Sequence, residues 1–130
     1  MPVTYEIDSE RHLIYTRCVG PVTLPEVLEH FATLVQDPER PDQMDVLLDL
    51  TETTSFPTTD QLRAVSLEIG RIRPQVQFGR CAIVTSNQAW FGLARMFEVF
   101  ATNYFHATDV FRTVGEAAIW LESPTGNQSA

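Results

Sequence analysis

The sequence predicts an α/β fold: a mainly parallel five-stranded sheet with one antiparallel edge strand and four helices. Three observations carry that class. Helical and strand patterns alternate along most of the chain over short connections, which implies right-handed crossovers and parallel pairing. The first two strand patterns are separated by only four polar residues, so they read as an antiparallel hairpin. Between Met44 and Asp60, MDVLLDLTETTSFPTTD, a nearly continuous apolar run (Val46, Leu47, Leu48, Leu50) leads into a hydroxyl-rich loop, the pattern of a buried central strand with a polar carboxyl end.

Taken in order, Val3 to Asp8 alternates apolar and polar residues, and Leu13 to Val19 resumes after Ser9 to His12. Gly20 and Pro21 stop the second strand. Thr23 with Glu26 has capping-box spacing, Pro25 is tolerated in a first helical turn, and Val27, Leu28, Phe31, Leu34 and Val35 recur at helical intervals. Two prolines in residues 37–42 end that helix before the central strand. Thr58 with Gln61 repeats the capping box, and Leu62, Val65, Ile69 and Ile72 form the buried stripe of a second helix that Pro74 closes. Cys81 to Val84 reads as the next strand, Gln88 to Tyr104 as a third helix, Val110 to Val114 as a last strand, and Glu116 to Leu121 as a fourth helix capped by Thr113.

With 130 residues, 44% of them hydrophobic, the chain is sized for one domain, expected over 1–122. The tail 123–130, SPTGNQSA, has too little apolar surface to order. A net charge of −8 repels phosphate backbones and anionic lipid, so neither nucleic acid nor membrane insertion is expected. The start has neither the basic region nor the apolar core of a signal peptide, and no stretch approaches the ~20 apolar residues of a membrane span; a cytoplasmic protein is expected. Cys18 and Cys81 sit inside strand patterns without CxxC spacing and read as inert core thiols.

The element order, with LLLDLTETTSF leading into a helix and a later FGLARMFEVFA helix, resembles the SpoIIAA-like family of the STAS superfamily from about Tyr5 to Leu121. In the anti-sigma antagonists of that superfamily, an Asp-Ser-Ser-Gly segment at the start of the second helix carries a serine phosphorylated by a partner kinase. Residues 55–61 here read SFPTTDQ, so Thr58 and Thr59 are the matching hydroxyls, without the flanking Asp and Gly. The resemblance to stand-alone SpoIIAA-like proteins, through their relation to CRAL-TRIO-type lipid-binding folds, also implies an apolar ligand.

Three sets of residues are candidates for function. Thr58 and Thr59 lie where free helix N–H groups favour an anion or a phosphate, although a cap is the simpler role for Thr58. The third helix carries more apolar surface than one face needs: Phe91, Met96, Val99, Phe100 and Phe105 form an interface or apolar-ligand surface unless the fourth helix covers them. Asp49, Glu52 and Asp60 bring carboxylates to the same neighbourhood, and Asp49 with Glu52 could act as an acid/base pair, but the sequence shows nothing that would separate their pKa values. His12, His30 and His106 are too scattered to hold a metal, there is no phosphate loop or nucleophile elbow, and no cofactor is expected. Arg71, Arg73 and Arg80 read as cations complementing the end of the second helix. The leading expectation is a non-enzymatic interaction or regulatory module, homodimeric through the third helix. The alternative is a small apolar-ligand or lipid-binding protein with its pocket between that helix and the sheet, and an enzyme using Asp49 and Glu52 comes last.

Overall fold

The computed structural model describes residues 2–123. The elements follow in the order β1 (Val3–Asp8), β2 (Leu13–Gly20), α1 (Leu24–Gln36), β3 (Gln43–Thr53), α2 (Thr59–Ile72), β4 (Gln77–Val84), α3 (Gln88–Phe100), β5 (Ala107–Phe111) and α4 (Val114–Glu122). They form one five-stranded sheet in sequential order from β1 to β5, in which β1 alone runs antiparallel to its neighbour. In such an order each right-handed crossover steps one strand further in the same direction. All three connecting helices therefore fall on one face.

Side-chain alternation divides the core between the two faces. Ile14, Cys18, Leu50, Cys81 and Ile83 point toward α1, α2 and α3, whereas Leu47, Ala82 and Val84 point the other way and meet Ala117 and Leu121 of α4. The apolar run of β3 is thus continuous because both of its faces are covered. The tyrosine of β1, Tyr5, stands opposite Thr16 in the hairpin.

The helices begin where their caps predict. Thr23 and Thr58 each accept a hydrogen bond from the backbone N–H three residues on, and Glu26 and Gln61 reach back to close both capping boxes. Thr113 caps α4 through Glu116 N–H at 3.1 Å. Several boundaries differ from the sequence expectation, that of β4 among them, which starts at Gln77 rather than Cys81. α3 stops at Phe100 rather than Tyr104; past its end the Thr102 N–H tightens the last turn onto the Val99 carbonyl, and the Thr102 hydroxyl donates to the carbonyls of Glu98 and Val99. The turn that follows carries Tyr104 onto α2 at Gly70, where an added Cβ would lie 2.7 Å from the tyrosine ring. The last strand is Ala107–Phe111 rather than 110–114, since Val114 already belongs to α4, which starts two residues earlier than expected. Of the expected tail, Ser123 is the C-cap of α4 and the remainder lies outside the described residues.

Arg80 takes a place the sequence did not suggest. It lies on β4, 3% exposed, and donates to the carbonyls of Trp120, Leu121 and Ser123 at the end of α4, with its guanidinium 5.1 Å from the Trp120 ring centre. A cation at a helix carboxyl end satisfies otherwise unpaired carbonyls and complements the dipole, but the helix served is α4 and not α2.

Candidate functional site

A cavity of about 180 Å³ lies between the sheet and the three helices α1, α2 and α3. Its floor is Ile14, Val46, Leu48 and Ile83, and its walls include Val27 and Phe31 of α1, Leu62 and Val65 of α2, and Ala94 and Phe97 of α3. The lining residues at the amino edge of the sheet, among them Leu34, Ile69 and Phe78, are buried. Those at the carboxyl edge, Val22, Thr53, Ser55, Gln61 and Trp90, are partly exposed, so the cavity opens there. That edge is where the end of β3 delivers its hydroxyl-rich loop and where α1, α2 and α3 begin.

The rim is tied together by polar contacts. Ser55 Oγ accepts from Val22 N–H at 2.8 Å and donates to Val22 O at 3.2 Å, Thr53 Oγ1 donates to Gly20 O at 3.0 Å, and Trp90 Nε1 donates to Ser55 O at 3.2 Å. Phe56 stands beside Trp90, ring centres 6.1 Å apart, and is half exposed. Deeper in, Thr16 and His30 are polar, and no Asp, Glu, Lys or Arg lines the space. Burial lowers His30 to a pKa of about 4, so its imidazole is neutral at physiological pH. Burial likewise pushes the lining thiols up, Cys18 to about 11 and Cys81 to about 12, and both are free and protonated.

The structure superposes over 92% of this chain and 91% of the other on an uncharacterised protein of the DUF3478 family from Shewanella loihica PV-4, described as having a SpoIIAA-like fold, with a TM-score of 0.62 and 17% sequence identity. The fold is SpoIIAA-like. No family model and no curated protein matches the chain. At that identity the likeness concerns the fold alone.

Within this SpoIIAA-like frame the candidate residues separate. Phe105 is buried in the core and lines the cavity, packed 5.6 Å from the Phe78 ring. Phe91, Met96, Val99 and Phe100 lie outside the cavity. α4 does not cover them, because it occupies the opposite face of the sheet. Two are shielded by cations instead: Arg112 sits 4.7 Å from the Phe91 ring centre and Arg63 5.0 Å from that of Phe100. Met96 is partly buried, and Val99 alone of the five is largely bare, at 70% exposure. Thr58 and Thr59 are exposed; the Thr58 hydroxyl is engaged by Gln61 N–H at 3.1 Å.

Asp49 faces away from the cavity, with Tyr15 and Arg17. Its carboxylate accepts from the Thr51 hydroxyl at 2.6 Å, Thr51 N–H at 3.0 Å and the Tyr15 hydroxyl at 2.8 Å. Burial pushes its pKa up, but these hydrogen bonds and the Arg17 charge outweigh it and hold the carboxyl below its ordinary value. Glu52 is exposed and paired with Arg17. Asp49 is therefore stabilised as an anion, the reverse of what a general acid requires. Among the described residues no group of three or more His, Cys, Asp or Glu could hold a metal ion, and no helix is long and apolar enough to cross a membrane.

Sequence reasoning placed a pocket near the carboxyl edge and α3 but missed the share of α1. His30, which the sequence marks only as too far from His12 and His106 to share a metal, is part of the wall. The signal was its position: three residues after Val27 and four before Leu34, it lies on the apolar stripe.

Proposed function

We propose that this protein is a non-enzymatic binding module that holds a small apolar ligand in the cavity between α1, α2, α3 and the sheet. The observation that carries this reading is the cavity itself: about 180 Å³ of apolar space in the core, opening at one edge. Engineered apolar cavities of ~150 Å³ take up benzene or xenon. Natural ligand sites share the same plan, mostly apolar walls with a few placed polar groups. Native mass spectrometry of gently purified protein, and melting temperature in the presence of toluene, test it. A retained small molecule or a dose-dependent rise in Tm is expected; a bare mass together with no shift at millimolar toluene refutes it.

A second reading, a regulatory or protein-interaction module that pairs through α3, is favoured by Val99, an apolar side chain 70% exposed on the outer side of that helix. Sedimentation of the protein and of Val99→Asp at high micromolar concentration tests this reading. A dimer abolished by the substitution supports it, and a strict monomer removes it.

A further inference from the structure

Two polar side chains in the cavity wall have no hydrogen-bonding work within the protein. Thr16 is 4% exposed, lines the cavity, and its hydroxyl has no partner among the described residues. His30 lines the same cavity; its ring meets Tyr5 edge-on at 5.3 Å and Phe31 at 5.2 Å, with neither a hydrogen bond nor an ion pair among the described residues. The two are close in the fold, because Tyr5 is the strand partner of Thr16 and the ring neighbour of His30. Both lie midway along their elements, β2 and α1, and so midway down the cavity.

Neither side chain is sealed from the cavity, so its polar atoms are met there by water or by a ligand rather than by the protein. Resting on the apolar-ligand reading above, we infer that the ligand is an uncharged molecule with an apolar body and a single hydrogen-bonding group, such as a hydroxyl, which Thr16 and His30 recognise. A hydroxyl and a neutral imidazole each offer one donor and at least one acceptor, so together they match a group that both gives and takes a proton. A carboxylate or ammonium head is excluded by the walls: no ionised partner lines the space, and an unpaired charge pays heavily for leaving water.

The test compares three probes of one shape, toluene, p-cresol and p-toluate, by calorimetric or NMR titration of the purified protein at pH 7. Toluene reports the cavity alone, p-cresol adds the hydroxyl, and p-toluate replaces it with a charge. p-Cresol should bind about tenfold more tightly than toluene, the worth of one net hydrogen bond, and p-toluate at least tenfold more weakly than toluene. Thr16→Val, which keeps the side-chain shape, and His30→Phe should each bring the ratio of p-cresol to toluene affinity close to one. Should His30→Phe fail to fold, Thr16→Val decides. Equal binding of toluene and p-cresol, or p-toluate binding as well as p-cresol, overturns this inference and leaves the apolar-ligand reading standing. Failure of both toluene and p-cresol to bind overturns that reading as well.

Discussion

Replacing Ala94 with leucine adds three carbons to the α3 wall of the cavity, at a position that is 1% exposed and already lines the space. At ~24 cal/mol per Å³, about 180 Å³ of unfilled apolar volume corresponds to about 4 kcal/mol of stability that the fold forgoes. Three added carbons at about 0.8 kcal/mol each recover roughly 2 kcal/mol if they enter open space. At this chain length that is a rise of roughly 6–10 °C in Tm. Urea denaturation followed by circular dichroism reads the effect directly: the midpoint should rise with the slope unchanged. The same substitution should abolish toluene binding, because it occupies the volume toluene needs. A close-packed core gives the opposite sign, since overpacking costs about 1–3 kcal/mol. A destabilised Ala94→Leu variant would therefore refute the claim that there is room beside α3.

Three further outcomes follow from the structure. Thr16→Val should change stability by less than about 1 kcal/mol in urea denaturation, because it keeps the side-chain shape and removes a cavity-facing hydroxyl that no described residue bonds; a larger loss would mean that the hydroxyl is paired. The folded pKa of His30, about 4, lies below its ordinary 6.5, so between those values the unfolded chain binds more protons. The stability His30 lends is whole above pH 6.5 and is lost as pH falls toward 4, by up to about 3 kcal/mol, and His30→Phe should flatten that slope when urea midpoints are measured from pH 7 to 4. Thr58→Ala should cost about 1 kcal/mol through loss of the α2 cap while Thr58→Ser costs little, and an unchanged midpoint for the alanine variant would show that the cap contributes nothing.

Most of the architecture was legible because its signals are local. Thr23 with Glu26 and Thr58 with Gln61 start helices through chemistry confined to four residues, and the alternation of Val3, Tyr5 and Ile7 marks a strand without reference to anything distant. The errors arise where a remote residue decides. α3 ends in a tightened turn in which the Thr102 N–H and hydroxyl both reach the Val99 carbonyl, and the chain beyond buries Phe105 in the core. The surplus apolar surface of α3 is reduced by Arg63 from α2 and Arg112 from beyond β5, pairings that no spacing within the helix announces. Arg80 sits near the end of α2 in sequence but serves α4, about 40 positions later. The cavity is the least local feature. It depends on how far three helices stand from one sheet, so His30 could be seen as stripe-forming but not as lining a hollow.

The fastening of α4 by Arg80 separates the molecule into two mechanical halves. On one side of the sheet, helix ends and the Ser55 loop frame an entrance; on the other, a short helix is pinned by its carboxyl end to a strand it packs upon. Whatever loosens or tightens around a guest should leave that pinned side still. Amide exchange in α4 should therefore run at one rate in empty and occupied protein, giving an internal clock against which protection in α1 and α2 is read.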